Sequence, residues 1–334
     1  MLRFVLRRSV TMIITLVVVS VIVFILIEIP PGDYAERYAY KKTEATGVAV
    51  TEEMVRGLRI QFGLDKPIYE RYLKWTSGIL TRGDFGISFL YMMPVTQIIG
   101  ERVWYTIAIA ILAVLLTYGL AIPIGIYSAI RQYSVGDYAF TIIGYFGLAI
   151  PQFLVAILLL YFSVTVLGMN VGGLFSPEFR EAPWSFDRVV DFLKHVWIPA
   201  VVLGLYSTTF QIRTMRATML DEKNKLYVVA ARARGVAEGK LIRKYPARLA
   251  LNPIISTIGW ELATVISGAP IVSLVLNIPD TGPLFLSALM DQDMYLAGSM
   301  LLMLSALTIF GTFLSDILLA VLDPRIRRGE VVTQ

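Results

Sequence analysis

Residues 227–253 read YVVAARARGVAEGKLIRKYPARLALNP, a basic stretch that lies between two strongly apolar ones. Its first part is rich in alanine, which favours a short helix. Gly235 then permits a turn with positive φ at little cost, and a second helix is predicted from about 237 to 245, before the next proline. The sequence therefore predicts two short helices joined by a turn, with the chain returning to an apolar segment at Asn252-Pro253.

The flanking segments belong to a chain that is apolar along most of its length. Of its 334 residues, 56% are hydrophobic, whereas soluble domains have about 45–50% apolar residues. A helix needs about 20 residues to cross the hydrocarbon of a bilayer. Six segments meet or approach this length, at about 10–29, 103–129, 138–168, 196–212, 254–278 and 295–321. The predicted fold class is an all-α integral membrane protein with six transmembrane helices.

The distribution of Lys and Arg predicts the orientation of these spans. If the N-terminus is inside, the inner segments carry 17 basic and 6 acidic residues, against 13 and 16 on the outer side. Basic residues favour the cytoplasmic side, so both termini are expected there. The same bias accounts for the pI near 9.3, and no nucleic-acid partner is predicted. The first apolar run exceeds the core of a signal peptide and is expected to remain as a span.

This topology divides the chain into four parts. Residues 1–31 form the first transmembrane helix with its cytoplasmic N-terminus, and 32–98 form an external insert with enough apolar residues for a small packed subdomain. Residues 99–322 form a five-helix core that includes the basic cytoplasmic loop 213–252. Residues 323–334 are predicted to be a cytoplasmic tail.

Four prolines, at positions 123, 151, 199 and 270, lie within or at the start of predicted spans. Each removes a backbone hydrogen bond and can kink its helix. Proline is also commoner in membrane helices than in soluble ones. The sequence therefore leaves open which of these positions bends the chain.

Three acidic residues lie in or near predicted spans, namely Glu28, Glu261 and Asp316. A carboxylate at a helix centre costs about 2.5–3.5 kcal/mol on insertion scales, so such residues invite a functional interpretation. Glu28 and Asp316 lie near span ends, whereas Glu261 is deeper. We predict that Glu261 lines a polar pathway through the helices with Ser267 and Gly268; the alternative is a pair between helices inside the bundle.

The sequence contains no constellation for covalent chemistry. The absence of cysteine excludes disulfides, iron–sulfur clusters and thiol catalysis. The nearest approach to a phosphate-binding loop, GVAEGKL at 235–241, has the wrong glycine spacing and ends in Leu rather than Ser or Thr. His195, the only histidine, is predicted to be structural. No catalytic residue, metal site or cofactor is therefore expected in this chain.

A series of motifs extends from one end of the chain to the other. They are MLRFVLRR at 1–8, IPPGDYA at 29–35, FGLDKPIYERYLKW at 62–75, GDFGISF at 83–89, PVTQIIGERVWYTIAIAI at 94–111, AIPQFLVAILLLYF at 149–162, YVVAARARG at 227–235 and LDPRIRRG at 322–329. In order and spacing they resemble the B-type permease subunit of dipeptide/oligopeptide ABC importers. The segment from Val229 to Gly235 resembles the EAAxxxG loop of these permeases, with Val229 in place of Glu.

The resemblance implies the type I ABC importer permease fold in a prokaryotic cell membrane. It also implies three types of protein partner beside the membrane lipid: a homologous C-type permease, two cytoplasmic ATPase subunits that carry ATP and Mg²⁺, and an external solute-binding protein. The implied ATPase contacts are Ala230, Ala231, Arg232, Arg234, Gly235 and Val236. The last external loop resembles a docking site for the binding protein, with Asp280 and Gly282 as its contacts and a short helix over 284–290.

The resemblance implies ATP-driven import of oligopeptides or similar solutes. The same family includes importers of oligosaccharides, opines and nickel, so these substrates remain alternatives. An ion-coupled secondary transporter is the alternative from another class. Such transporters usually show inverted repeats and paired broken helices, and we find no internal repeat in this sequence.

Overall fold

The computed structural model describes residues 2–29, 33–47, 51–168 and 172–322, which are mainly helical. The helices are α1 (Leu2–Glu28), α2 (Tyr34–Thr46), α3 (Glu52–Phe62), α4 (Ile68–Arg82), α5 (Val95–Ile130), α6 (Val135–Ala149), α7 (Gln152–Thr165), α8 (Phe186–Lys223), α9 (Leu226–Ala233), α10 (Glu238–Lys244), α11 (Pro246–Ser256), α12 (Ile258–Leu276), α13 (Thr281–Met290) and α14 (Met294–Leu322). The β-type pairing in the described residues is one isolated bridge, between Ile87 and Pro94. The predicted all-α class is confirmed.

Four of the described helices, α1, α5, α8 and α14, are long and apolar enough to cross a membrane. Three further pairs of helices are bent at a short break, and the total rises to seven spans if each pair is counted as one span. The predicted spans 103–129, 196–212 and 295–321 lie within three of these helices, and the predicted span 10–29 ends one residue beyond α1. Helix α8 has 38 residues, so it extends well beyond the predicted fourth span at both ends.

The predicted third span, 138–168, is not one straight helix. The chain bends by 110° between α6 and α7, at a break formed by Ile150 and Pro151. The residue before a proline is pushed out of the helical conformation, and Ile150 is extended, with ψ 128°. Of the four prolines considered above, Pro151 is the one at a sharp bend, whereas Pro123, Pro199 and Pro270 lie inside continuous helices.

The chain forms two compact units, of which the smaller consists of residues 13–105 and 280–306. Its buried apolar cluster includes Val95, Ile99, Leu284, Leu296 and Met300. Two polar interactions add to this packing. Arg71 forms an ion pair with Glu28, and the Asp293 carboxylate accepts hydrogen bonds from the Ser88 hydroxyl and from the Leu90 amide, the latter at 3.0 Å.

The predicted external insert contributes helices α2, α3 and α4 to this unit. Asp33 caps α2 by accepting a hydrogen bond from the Glu36 amide, and Arg59 of α3 donates to Asp33 at 2.6 Å. This hydrogen bond raises the pKa of Arg59 above its ordinary value. The segment therefore contains the short packed helices that its apolar content predicted.

The larger unit consists of residues 1–12, 106–279 and 307–334, and α8 lies at its centre. Helix α8 packs against α6, α7, α11 and α12. Its buried positions include Ser207, Thr208, Thr209 and Gln211, so the polar end of the predicted fourth span faces other helices. Small residues and polar side chains commonly mediate such contacts between membrane helices.

Glycines allow α12 and α14 to approach closely within this unit. A β-carbon added to Gly259 would lie 2.7 Å from both the backbone nitrogen and the Cα of Thr312. A β-carbon added to Gly311 would collide with the Leu262 side chain and lie 3.5 Å from the Gly259 Cα. The two glycines therefore set the distance between these helices, as small residues do in many membrane helix pairs.

An ion pair between a buried carboxylate and a partly exposed guanidinium joins α6 to α8. Arg216 donates from Nε to Oδ1 of Asp137 at 3.1 Å and from Nη2 to Oδ2 at 2.9 Å. Asp137 is buried and also accepts a hydrogen bond from the Tyr133 amide. The pair fixes α8 against the start of α6, because a bidentate contact constrains both the distance and the orientation.

We expect Asp137→Asn to lower the free energy of unfolding by about 1–3 kcal/mol, because it removes a charge-assisted contact and leaves the guanidinium without its counter-charge. Thermal unfolding of the detergent-solubilised protein measures this change. Asp221→Asn is the matched control, since it makes the same substitution at an exposed position of α8, beyond Arg216. Equal stability of the two variants would contradict a structural role for the ion pair.

Candidate functional site

Helices α9 and α10 form a helical hairpin over residues 226–244, as the sequence predicted. The turn between them depends on Gly235, whose φ is +77°, a conformation that glycine adopts without steric cost. The Gly235 amide donates to the Arg232 carbonyl at 3.0 Å, and the Val236 amide donates to the Ala231 carbonyl at 3.3 Å. Pro246 then begins α11, so the helix that returns to the apolar region starts before the predicted Asn252-Pro253.

The interior of the hairpin is apolar. Val228, Ala231 and Leu241 form a buried cluster, and Tyr227, Val236 and Tyr245 pack around it. Val228 and Ala231 lie three residues apart on α9, so they project from the same face of that helix. The hairpin therefore has a small core of its own, which holds the two helices together.

This packing separates the six predicted contact residues into two groups. Ala230, Arg232, Arg234 and Gly235 are exposed. Ala231 is only 7% exposed, and Val236 is partly buried against the same cluster. In the structure these last two side chains pack within the hairpin instead of contributing to its outer surface.

The outer face of α9 carries three apolar residues that were not among the predicted contacts, Leu226, Val229 and Ala233, beside Ala230, which was. Leu226 is 86% exposed and Val229 is 48% exposed, and Ala230 and Ala233 are exposed beside them. These four positions follow the spacing i, i+3, i+4 and i+7, which places them along one face of a helix. This spacing is visible in the sequence and could have identified the surface. The four positions lie on the side of α9 opposite Val228 and Ala231.

An ion pair lies at the surface beside this face. Arg232 donates from Nη2 to Glu238 at 2.8 Å, across the turn. The hydrogen bond from Arg232 lowers the pKa of Glu238, and the same bond raises the pKa of Arg232. Both side chains are well exposed, so the ion pair contributes little to stability.

A second polar contact fixes the start of the hairpin. The Tyr227 hydroxyl donates a hydrogen bond to the Glu222 carboxylate, and Lys225 donates to the other oxygen of that carboxylate at 2.6 Å. Burial, followed by the hydrogen bond to Glu222, raises the pKa of Tyr227. Tyr227 therefore remains a neutral donor at physiological pH and ties α9 to the end of α8.

The last turns of α8 are in turn bound to three other helices. Besides the Arg216 contact to α6, Lys223 donates from Nζ to the Ala129 carbonyl of α5 at 3.0 Å. Thr218 donates to the Ala250 carbonyl of α11 at 3.3 Å. Met215 and Met219 are buried in the same region. The end of α8 that carries the hairpin is thus bonded to α5, α6 and α11.

Glu261, the predicted pathway residue, is 4% exposed and lies in a polar network between helices. Gln211 of α8 donates from Nε2 to Oε1 of Glu261 and to the Thr257 hydroxyl, both at 2.8 Å. This geometry matches the alternative of an interhelical pair. Ser267 and Gly268 lie in α12, but the structure does not describe their surroundings, so the pathway role stays a prediction.

The predicted docking residues are buried. Asp280 is 1% exposed and caps α13 by accepting a hydrogen bond from the Gly282 amide at 3.0 Å. Gly282 is also buried. Asp280 therefore has a structural role as the helix cap, and the exposed surface of this segment lies instead at Leu286, Leu289 and Met290.

His195 has the structural environment that the sequence predicted. It is buried, and its Nδ1 lies 2.7 Å from the carbonyl oxygen of Asp191 in the preceding turn of α8. The Asp191 carboxylate accepts two hydrogen bonds at 2.7 Å from Ser176, one from the amide and one from the hydroxyl. These contacts fold the loop before α8 onto the helix.

Comparisons with known proteins match nearly the whole chain. Residues 121–328 match the family of binding-protein-dependent transport system inner membrane components, and residues 1–110 match the N-terminal part of such membrane components. A Brucella ovis protein named as a peptide permease is 31% identical over 98% of this chain and 99% of its own length. The oligopeptide transport system permease protein AppB of Bacillus subtilis is 30% identical over the same shares of both chains. A Sinorhizobium fredii protein named as a peptide ABC transporter permease is 29% identical over 97% of this chain and 99% of its own length.

Proposed function

Because the chain belongs to the family of binding-protein-dependent transport system inner membrane components, we propose that it forms one half of a heterodimeric pore for peptides. The family resemblance predicted from the sequence motifs is confirmed by these matches. A membrane component of this kind translocates a solute and makes no covalent bond. We infer that ATP and Mg²⁺ are held by partner subunits, and that the described chain contributes only the moving helices.

The exposed apolar face of α9 supports this proposal. Leu226, Val229, Ala230 and Ala233 present the i, i+3, i+4 and i+7 anchors of a helix that docks into a groove. The exposed Arg232 and Arg234 adjoin this face. We propose that an ATPase subunit covers it, and that Ala231 and Val236 act indirectly by keeping the hairpin rigid.

The proposed topology has both termini and the hairpin in the cytoplasm. The excess of Lys and Arg on that side supports it. In the same arrangement, residues 32–98 are the external insert, 99–322 the five-helix core and 323–334 the cytoplasmic tail. The external solute-binding protein then docks on the side of α2, α3, α4 and α13, and the homologous C-type permease completes the pore.

Peptides are the proposed substrate because the relatives reported above carry peptide or oligopeptide in their names. Selection in such importers depends on the solute-binding protein, so oligosaccharides are the alternative to be compared with peptides. The decisive measurement is a binding screen of the co-encoded solute-binding protein against peptide and oligosaccharide libraries. Binding of oligosaccharides alone would overturn the peptide proposal.

A cysteine-crosslinking experiment tests the docking surface. We expect Val229→Cys to form a crosslink to an ATPase subunit, because this side chain lies on the exposed face of α9. Ala231→Cys is the matched control on the same helix, since its side chain points into the hairpin core. Crosslinking from position 231 but not from 229 would contradict the proposed surface.

The assembly itself is tested by a pull-down in mild detergent of the tagged chain, expressed with its neighbouring genes, followed by mass spectrometry. Recovery of a second permease and ATPase subunits is the expected result. Recovery of the chain alone, with transport driven by an ion gradient, would contradict the proposed ATP-driven mechanism.

A further inference from the structure

A groove of about 500 Å³ lies between α11 and the last described turns of α14. This volume falls within the usual range for small-molecule sites, about 300–1,000 Å³. Leu251, Ile255, Leu318 and Val321 give the groove an apolar lining, and the side chains of Arg243 and Arg248 also border it. The groove therefore combines an apolar surface with two cations, and nothing in the proposed mechanism uses it.

The two guanidinium groups retain hydrogen-bonding capacity. Arg248 donates from Nη2 to the Leu322 carbonyl at 3.0 Å, and Arg243 donates from Nε to the Gly239 carbonyl at 3.4 Å. A guanidinium has five N–H groups, so each has further donors. Both side chains are exposed, and within residues 2–29, 33–47, 51–168 and 172–322 neither forms an ion pair with a carboxylate.

The contact between Arg248 and Leu322 also places a cation at the groove. Arg248 is held against α14 by its hydrogen bond to the Leu322 carbonyl, and Arg243 borders the same groove. The mouth of the groove is therefore cationic.

We propose that this groove binds one molecule of an anionic phospholipid. The acyl chain lies against Leu251, Ile255, Leu318 and Val321, and the phosphate accepts hydrogen bonds from Arg243 and Arg248. Arg binds phosphate oxygens with two parallel hydrogen bonds, and basic pockets between membrane helices bind anionic lipid headgroups. The groove lies beside the last described turns of α14, a helix long and apolar enough to cross a membrane, so a lipid chain and its headgroup could contact the protein together.

The test uses the intact importer, incubated in mild detergent with equimolar phosphatidylglycerol and phosphatidylcholine of matched chains. Native mass spectrometry then counts the lipid molecules retained. We expect retention of phosphatidylglycerol over phosphatidylcholine, and we expect the double variant R243Q/R248Q to reduce that retention about tenfold or more. The control K240Q/K244Q removes the same charge from the same region, at exposed positions that do not line the groove, and is expected to retain the lipid.

A second variant tests the apolar half of the site without changing its charge. Leu318→Trp fills the groove and is expected to reduce phosphatidylglycerol retention while Arg243 and Arg248 remain. Three results would overturn the proposal: equal retention of both lipids by the wild type, undiminished retention by R243Q/R248Q or Leu318→Trp, or capture of a protein subunit instead of lipid by a photoreactive side chain at position 321.

Discussion

Gly235→Pro is expected to abolish peptide transport while leaving the chain in the membrane. Proline fixes φ near −65°, whereas Gly235 has a φ of +77°. The substitution also removes the amide that donates to the Arg232 carbonyl. The turn between α9 and α10 then cannot form, and Val236 loses its place against the hairpin core. The exposed face of α9 would no longer be held in a fixed orientation relative to α8.

The measurement compares ATP hydrolysis with uptake of the peptide found in the binding screen, using the reconstituted importer. We expect uptake to fall about tenfold or more, since a backbone conformation that proline cannot adopt disrupts the local fold. Gly235→Asn is the matched control, because Asn tolerates positive φ far better than most residues, and it should retain most of the transport. Coupled transport by Gly235→Pro would show that the hairpin does not link ATP hydrolysis to the pore.

Gly259→Val is expected to lower the free energy of unfolding by about 3 kcal/mol or more, because overpacking against a backbone cannot be relieved by a rotamer change. The new β-carbon would meet the Thr312 backbone at 2.7 Å, so α12 and α14 would have to separate. Valine also adds two methyl groups to this contact. Thermal unfolding in detergent and the amount of protein in the membrane would both report the loss.

Gly119→Val is the control for this experiment. Gly119 lies inside α5, and a β-carbon added there meets no atom within 4 Å. The two substitutions introduce the same side chain into a membrane helix and differ in the space around it. A similar loss of stability in both variants would mean that valine itself, and not the close approach of α12 and α14, is responsible.

The class of the protein and the hairpin could be predicted from local sequence. Apolar segments of spanning length identify membrane helices because unpaired backbone groups are excluded from hydrocarbon. The turn at Gly235 and the end of α10 before Pro246 depend on the properties of single residues. These features need no knowledge of distant contacts, and the structure contains them within a few residues of the predicted positions.

The direction of individual side chains could not be predicted in the same way. Ala230 and Ala231 are chemically identical neighbours, yet one is exposed and the other is packed against Leu241 of α10. That difference depends on how α10 folds back onto α9. Asp280 was predicted to be a surface contact because its loop resembles a docking site, but its carboxylate is buried as the cap of α13.

Helix α8 runs without interruption for 38 residues, which corresponds to about 57 Å at 1.5 Å per residue. A rod of this length acts as a lever, since a tilt of about 5° moves one end by about 5 Å relative to the other. One end begins beside the folded loop near Ser176, and the other ends at the hairpin. A small change in the tilt of α8 would therefore move its two ends by several ångströms relative to each other. No hinge within the helix is needed for this movement.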